Sequence, residues 1–360
     1  MSPSQCRQTL GEEKVLLERY YQIAIEAQLQ HADVFGTRDP EIIRAAVIYL
    51  LPVCSGEIAA STSAFVGALI HNAQAAGIND FDGHDQELSL ETQFRKQLWC
   101  QLLLLDIRTR EERGSASLLQ GGASENALPV DVNDHEIHGQ DQQRPSWTDS
   151  TFSLIRMECY KTRCQVQDLS NGLRLGYITT DVAAAKLDER KRWIEHRYLN
   201  GLNQNEPLQR CAFHTGQIMV SSLDLLLFEE RIHWESKIKM RCLRAVLTIV
   251  ENAAVLEQDG SLKQWSWYLR TYQQYKSIFF ILVELQRQPR LPEEDMIASA
   301  LDHIFGRGFD LSLWQRSRQV LQLMRDRLAN MLDNSISQDR DTAALPEPSA
   351  MPSNPTLWQG

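Results

Sequence analysis

The 360-residue chain carries 47 acidic and 37 basic side chains, a formal net charge of −10, and is 43 % apolar. This composition allows a large buried core in one big domain or two, and the negative charge opposes non-specific attraction to DNA phosphates. No apolar run approaches the ~20 residues of a membrane helix, and the first residues lack the apolar core of a secretory signal. We therefore expect an intracellular protein that has no membrane partner.

Apolar residues recur at helical spacing along the first third of the chain. The spacing predicts helices over 11–35, 40–51 (stopped by Pro52), 61–76 and 91–113, and Gly114 follows the last of them as a C-terminal glycine does. Residues 1–10 are expected to be flexible. The stretch 115–150 is rich in Gly, Ser, Asn and Asp, and we predict a long polar surface loop there.

The same spacing continues in the rest of the chain. Helices are predicted over 152–164, 181–199, 212–228, 241–256, 265–288 and 311–332. The tail 333–360 has little apolar clustering and is predicted to be disordered. No segment alternates as a strand does, so we predict an all-α fold, with one large multi-helix domain over 11–332.

The helix from Glu91 to Gly114, ETQFRKQLWCQLLLLDIRTREERG, is apolar on most sides and is predicted to be buried. Asp106 lies within it, and a buried carboxylate needs a donor or a cation. Arg110, four residues on, is placed to pair with it, whereas Arg95 and Arg108 are candidates for contacts elsewhere.

This helix and the following LPVDVND resemble the middle homology region of fungus-specific transcription factors, the regulators that bear a zinc binuclear cluster. Gln97 and Cys100 stand where that family has an arginine and a second aromatic residue. Gly67–Asn79 resembles the helix that precedes this motif in the family, although His71 and Asn79 replace its arginine and histidine. Further matches follow in order, and the matching residues, which we interpret as structural, are Arg95, Lys96, Trp99, Asp106, Arg108, Gly114, Pro129, Asp134, Tyr198, Trp265 and Glu284.

The resemblance implies a helical regulatory domain that works in the nucleus, with the cytoplasm as the alternative location. It also implies a homodimer, or a heterodimer with full-length regulators, and control by a small-molecule effector. The zinc cluster of these regulators needs six closely spaced thiolates, whereas no window here holds more than two of the seven cysteines. We therefore expect no metal, no cofactor and no specific DNA binding by this chain alone, and the scattered cysteines are expected to be reduced core thiols.

Three groups of residues leave alternatives open. The basic groups at 190–192 and 237–244 are either solvated helix faces or an import signal or phosphate contact. His135 and His138, among acids of the polar loop, could bind a divalent metal, although polar loops gather such residues by composition. The aromatic stripe that starts at Trp265 either packs in the core or walls a ligand cavity.

No nucleotide-binding or nucleophile motif is present, and we assign no catalytic, DNA-binding or metal-binding residue. Two functions are therefore weighed. The first is a transcriptional regulator or co-regulator of a fungal metabolic, secondary-metabolite gene programme. The alternative is an enzyme of secondary-metabolite biosynthesis that uses a hydrophobic cavity for cyclisation or isomerisation, with Asp106, His71 and His214 as the first residues to mutate. A histidine such as His214 on an apolar helix is more typical of a hydrogen-bonded core residue.

Overall fold

The computed structural model describes residues 3–55, 58–81, 89–111, 128–133, 147–228, 236–269 and 280. Within this part of the chain all regular structure is helical and no strand occurs, so the all-α prediction is confirmed. The α-helices are α1 (Pro3–Leu10), α2 (Lys14–His31), α3 (Pro40–Val53), α4 (Ala60–Ala75), α5 (Leu90–Glu111), α6 (Thr151–Arg174), α7 (Thr180–Ile194), α8 (Pro207–Phe228), α9 (Ser236–Gln258) and α10 (Ser266–Leu269). A π-helical turn, Glu195–Leu199, continues α7, and a 3₁₀ turn, Gly260–Trp265, precedes α10.

Helices α3, α4 and α5 share one apolar core. Ile43, Leu69 and Leu102 are each fully enclosed in it. Trp99 is buried beside them and lies on α5, which carries the family-like motif and is called the motif helix below. Tyr160 of α6 also reaches this core, so α6 connects it to the second half of the domain. The burial of α5 predicted from its composition is therefore observed.

Helix α8 lies at the centre of the second half, where it packs against both α6 and α9. Gly216 lets α8 approach its neighbours closely, because a Cβ atom there would lie 2.6 Å from Leu199 and 3.1 Å from Ile155. By length and composition α8 is apolar enough to cross a membrane, but 61 % of its apolar window is buried inside the protein, as in a core helix.

Several helix ends differ from the sequence prediction. Residues 3–10, expected to be flexible, form α1, which ends at Gly11 with φ +73°. Helix α3 continues through Pro52 to Val53, since a proline in the last turn removes only one backbone donor. Helix α6 runs ten residues beyond the predicted end at Cys164, because Val166 and Leu173 supply a further buried face.

Helix α2 contributes little to the core. Val15, Tyr20, Tyr21 and Ile25 recur at helical spacing but are exposed, and only Leu29 is buried. The amphipathic pattern of α2 therefore forms a helix without forming a packed face.

Most of the polar loop 115–150, the helix predicted over 311–332 and the tail 333–360 lie outside the described residues. The same is true of Gly114, Asp134 and Glu284 among the matching residues, and of His135 and His138. The helix predicted from Trp265 is described only at its start, as the end of the 3₁₀ turn followed by α10.

Candidate functional site

Arg95 of the motif helix binds the turn that ends α4. Its guanidinium donates to the carbonyl oxygens of Gly77 and Asp80. Gly77 has φ +69°, a left-handed conformation that glycine adopts without strain, and Ile78 N–H bonds Ala73 C=O across it. The two sequence segments that carry the resemblance therefore contact each other through Arg95.

Asp106 is buried in α5 and accepts a hydrogen bond from Arg110 Nε at 3.3 Å. The local pair predicted from the four-residue spacing is thus present. Thr109 Oγ1 also donates to the backbone carbonyl of Asp106, and Arg108 is half-buried beside them. The contact with Arg110 stabilises the Asp106 carboxylate inside the helix.

The short segment 128–133 joins α5 to the second half of the domain. Gln93 of α5 accepts a hydrogen bond from Val130 N–H at 2.8 Å, and Pro129 is buried next to it. Asp131 Oδ2 accepts from Arg197 of the π-helical turn at 2.7 Å.

The other oxygen of Asp131 closes the same joint from the side of α6. Asp131 Oδ1 accepts from Thr148 Oγ1 at 2.8 Å and from Thr151 Oγ1 at 3.2 Å. Tyr198 is buried in the same turn as Arg197, and burial raises the pKa of its hydroxyl to about 12. Asp131 therefore connects the loop, α6 and the turn after α7.

An ionic seam connects α6, α7, α8 and α9, and we define it as Glu158, Asp188, Arg190, Lys191, Asp224 and Arg241. Asp224 of α8 is its centre, with a side chain only 3 % exposed. Its Oδ2 accepts from Lys191 Nζ at 2.5 Å, and its Oδ1 accepts from Arg241 Nε at 2.6 Å. One buried carboxylate thus binds a base from α7 and a base from α9.

Arg241 extends the seam to a second carboxylate. Its two terminal nitrogens donate to both oxygens of Asp188, one of them at 3.0 Å, in the fork geometry that arginine forms with carboxylates. Burial acts against the charged guanidinium, but the hydrogen bonds to Asp188 and Asp224 outweigh it and raise the pKa of Arg241. For Asp188 burial acts against the charge as well, and the bond from Arg241 still lowers its pKa.

At the α6 end of the seam Arg190 pairs with the buried Glu158. Arg190 Nε also donates to Thr162 Oγ1 at 3.0 Å, and its guanidinium lies 4.2 Å from the ring centroid of Trp193. For 190–192 the sequence left open a solvated face, an import signal or a phosphate contact. Arg190 and Lys191 instead bind buried acids, and Arg192 lies on the exposed side.

The three residues weighed for catalysis occupy unrelated settings. His71 is exposed on α4, whereas Asp106 is paired within α5. His214 Nδ1 lies 2.7 Å from Asn252 Oδ1, and because that oxygen only accepts, the imidazole donates from Nδ1. Asn252 in turn donates to Thr248 C=O, so His214 is the hydrogen-bonded residue that its apolar helix predicts.

All seven cysteines are free thiols, and all except the half-buried Cys164 are buried. Burial raises the pKa of Cys100, Cys159 and Cys242 to about 12. Within the described ranges, no group of three or more His, Cys, Asp or Glu side chains is placed to hold a metal ion.

The chain matches curated fungal regulators over most of its length. The aurofusarin cluster transcription factor of Gibberella zeae is 21 % identical over 328 residues, which are 85 % of this chain and 47 % of that protein. A C6 finger domain transcription factor of Aspergillus fumigatus is 20 % identical over 309 residues, 76 % of this chain and 40 % of that protein. The chain is a homologue of fungal C6 finger transcription factors.

A shorter match agrees with this relationship. A transcriptional regulator of Aspergillus aculeatus is 27 % identical over 162 residues, 44 % of this chain and 22 % of that protein. The chain thus spans less than half the length of each of these three relatives. No family model and no solved structure matches it.

At the described positions the matching residues make contacts inside the domain. Arg95 and Asp106 hold the ends of α4 and α5, Pro129 lies in the loop that joins α5 to α6, and Tyr198 fills the turn after α7. Sequence analysis missed the ionic seam, because Asp188, Asp224 and Arg241 are far apart in the sequence and lie on helices with other obvious roles. The i, i+3 placement of Asp188 and Lys191 on α7 was its only local signal.

Proposed function

We propose that this chain is the regulatory region of a transcriptional regulator, or a co-regulator built on that region, of a secondary-metabolite gene programme. The observation that carries the proposal is the match over 85 % of the chain to a transcription factor named for the aurofusarin cluster. The region acts in the nucleus through a homodimer, a heterodimer with a full-length regulator, or a small-molecule effector. The helices joined by Arg95, Asp131 and the ionic seam provide a fixed framework for such a partner surface.

We further propose that the chain alone binds no specific DNA sequence. The 360 residues include no group of six closely spaced cysteines. The seam bases Arg190, Lys191 and Arg241 are bound to acids instead of being available to phosphates. Purified protein is expected to give no sequence-selective shift with promoter DNA, and a tight selective shift would overturn this part.

The enzyme alternative has less support. We propose that this chain is not an enzyme because its relatives are named as regulators of transcription. His214 and Asp106 are engaged in structural contacts, and His71 lies at the surface.

Deletion of the gene separates the two functions when transcripts and metabolites are measured in the same cultures. A regulator changes the transcripts of the biosynthetic genes and the metabolite together. An enzyme leaves the transcripts in place while the metabolite is lost and its precursor accumulates. Unchanged transcripts with a lost metabolite would therefore refute the proposal.

A tethering assay tests the regulatory activity of the chain itself. The chain is fused to an unrelated DNA-binding module in front of a reporter gene, and the module alone is the control. We expect reporter output to rise or fall several-fold relative to the module. The triple variant H71A/D106N/H214A removes the three side chains weighed for catalysis. If the enzyme alternative holds, this variant lowers the amount of metabolite, whereas a folded triple variant that keeps reporter output supports the regulator.

A further inference from the structure

The π-helical turn Glu195–Leu199 continues α7 without a break in the helix. The N–H of Asn200 donates to the C=O of Glu195, five residues back, at 2.9 Å. In an α-helix the same N–H would bond the C=O of His196, four residues back. Isolated π turns inside α-helices are uncommon and occur frequently at functional sites. The turn therefore has two hydrogen-bond registers, π and α, that differ by one residue.

The register decides which side chain of the turn reaches the core. Bonds between residues five apart place Leu199 on the same side as Ile194, and both are fully buried. Leu199 packs on α8 at Gly216, where an added Cβ atom would lie 2.6 Å from it. In the α register Tyr198, four residues after Ile194, would take this side, and Leu199 would turn away from α8. The register thus controls the contact between the turn and α8.

An ion pair holds the turn from outside, and we call the contact of Asp131 with Arg197 the clasp. Asp131 Oδ2 accepts from Arg197 at 2.7 Å. The guanidinium of Arg197 also lies 4.7 Å from the ring centroid of Tyr198, and the ring of Tyr198 meets Trp193 edge-on at 5.9 Å. A shift to the α register rotates Arg197 around the helix axis and away from Asp131. The closed clasp therefore favours the π register.

Asp131 lies in the segment 128–133, which we call the strap. Polar contacts tie the strap to both halves of the domain. Val130 N–H donates to Gln93 of α5 at 2.8 Å, and Asn133 accepts from Asp149 N–H, just before α6, at 3.1 Å. Since Asp131 is part of the strap, movement of the strap pulls on the clasp.

We propose that the turn Glu195–Leu199 is a register switch that the strap controls. With the strap in place, the clasp holds the turn in the π register and Leu199 packs at Gly216. When the strap withdraws, the turn shifts to the α register and Leu199 leaves α8. The position of a surface segment is thereby transmitted to the central helix of the second half. The switch is a property of the folded chain and does not depend on the transcriptional role.

Thiol labelling at position 199 reports the register. In a Leu199→Cys variant of the full chain, the new thiol is buried while the turn keeps the π register, so it should react slowly with a thiol reagent. Addition of Asp131→Asn should speed its labelling at least about 10-fold, because the register shift turns position 199 outward. Peptide mapping separates this reaction from that of the half-buried Cys164. Unchanged labelling after Asp131→Asn would overturn the switch, and so would a thiol at position 199 that reacts as fast as Cys164 while Asp131 is intact.

A second variant opens the clasp from the side of the turn. Arg197→Gln is expected to speed labelling at position 199 as Asp131→Asn does, since either change removes the ion pair. The matched control is Asp181→Asn, the same chemical change at an 86 % exposed side chain near the start of α7, which should leave the labelling rate unchanged. Equal acceleration by Asp181→Asn would contradict the role of the clasp.

Hydrogen exchange of the Asp131→Asn variant, with Leu199 in place, separates a register shift from local unfolding. The N–H of Asn200 is bonded in both registers, to Glu195 C=O or to His196 C=O. Its exchange rate is therefore expected to stay within about 3-fold of the wild type while labelling at position 199 becomes fast. Lost protection of Asn200 together with fast labelling would show that the turn unfolds instead of switching, and would refute the proposal.

Discussion

Replacement of Asp224 by asparagine removes the charge at the centre of the ionic seam and keeps the shape of the side chain. Two charge-assisted hydrogen bonds are weakened, from Lys191 Nζ at 2.5 Å and Arg241 Nε at 2.6 Å. Bonds of this type contribute ~1.5–3 kcal/mol each, and loss of one partner of a buried pair costs ~3–5 kcal/mol. Both bases keep some contact with water, so we expect Asp224→Asn to lower the free energy of unfolding by about 3 kcal/mol.

Urea unfolding followed by helical circular dichroism measures this change, and Asp181→Asn is the control. Asp181 pairs with Lys237, but its side chain is 86 % exposed, so the same chemical change is expected to alter stability by less than ~0.5 kcal/mol. A double-mutant cycle with Arg241→Met isolates the bond to Arg241. If Asp224→Asn loses less than about 1 kcal/mol, the two bonds to Asp224 do not stabilise the fold.

Three further results are expected from the described contacts. Gly216→Ala forces a Cβ atom against Leu199 and Ile155 and should destabilise the fold by ~1–3 kcal/mol in thermal unfolding, whereas an undiminished melting temperature would show that the helices separate easily. In native protein Cys164 should react with a thiol reagent at least about 100-fold faster than Cys159 on the same helix, as measured by peptide mapping, because Cys159 is buried with its pKa raised to about 12. A thiol whose folded-state pKa is raised contributes its full stability below its ordinary pKa of ~8.5, and this contribution is lost as the pH rises towards 12. The melting temperature should therefore fall above about pH 9, and Cys159→Ser should make that fall smaller.

The motif helix shows how far the sequence predicts this fold. The apolar run around Trp99 predicts burial, and the spacing of Asp106 and Arg110 predicts the ion pair; both are observed. These inferences succeed because helical periodicity and i, i+4 contacts are local properties of the chain. The contact of Arg95 with the turn at Gly77 joins positions 18 residues apart, so no local spacing predicts it.

The seam and α2 show where sequence reasoning fails, in opposite directions. For the basic run at 190–192 the sequence left open a solvated face or a phosphate contact, both exposed, because charged side chains are seldom buried unless they are paired. The partners of Arg190 and Lys191 lie on α6 and α8, 32 and 33 residues away along the chain. The apolar residues of α2 recur at helical spacing yet are mostly exposed, because hydrophobic periodicity gives a face of the helix but not what covers that face.

The seam and α2 contribute differently to folding, and stability measurements can separate their contributions. Charges buried between α6 and α9 hold the second half of the domain together, so neutralising Asp224 should weaken folding throughout that half. The apolar row of α2 contributes little to the domain core, since the side chains at Leu16 and Ile23 are more than half exposed. An acidic substitution at Ile23 should therefore change the free energy of unfolding by no more than ~0.5 kcal/mol. In this chain, therefore, a buried charge at Asp224 is expected to stabilise the fold more than the apolar side chains of α2 do.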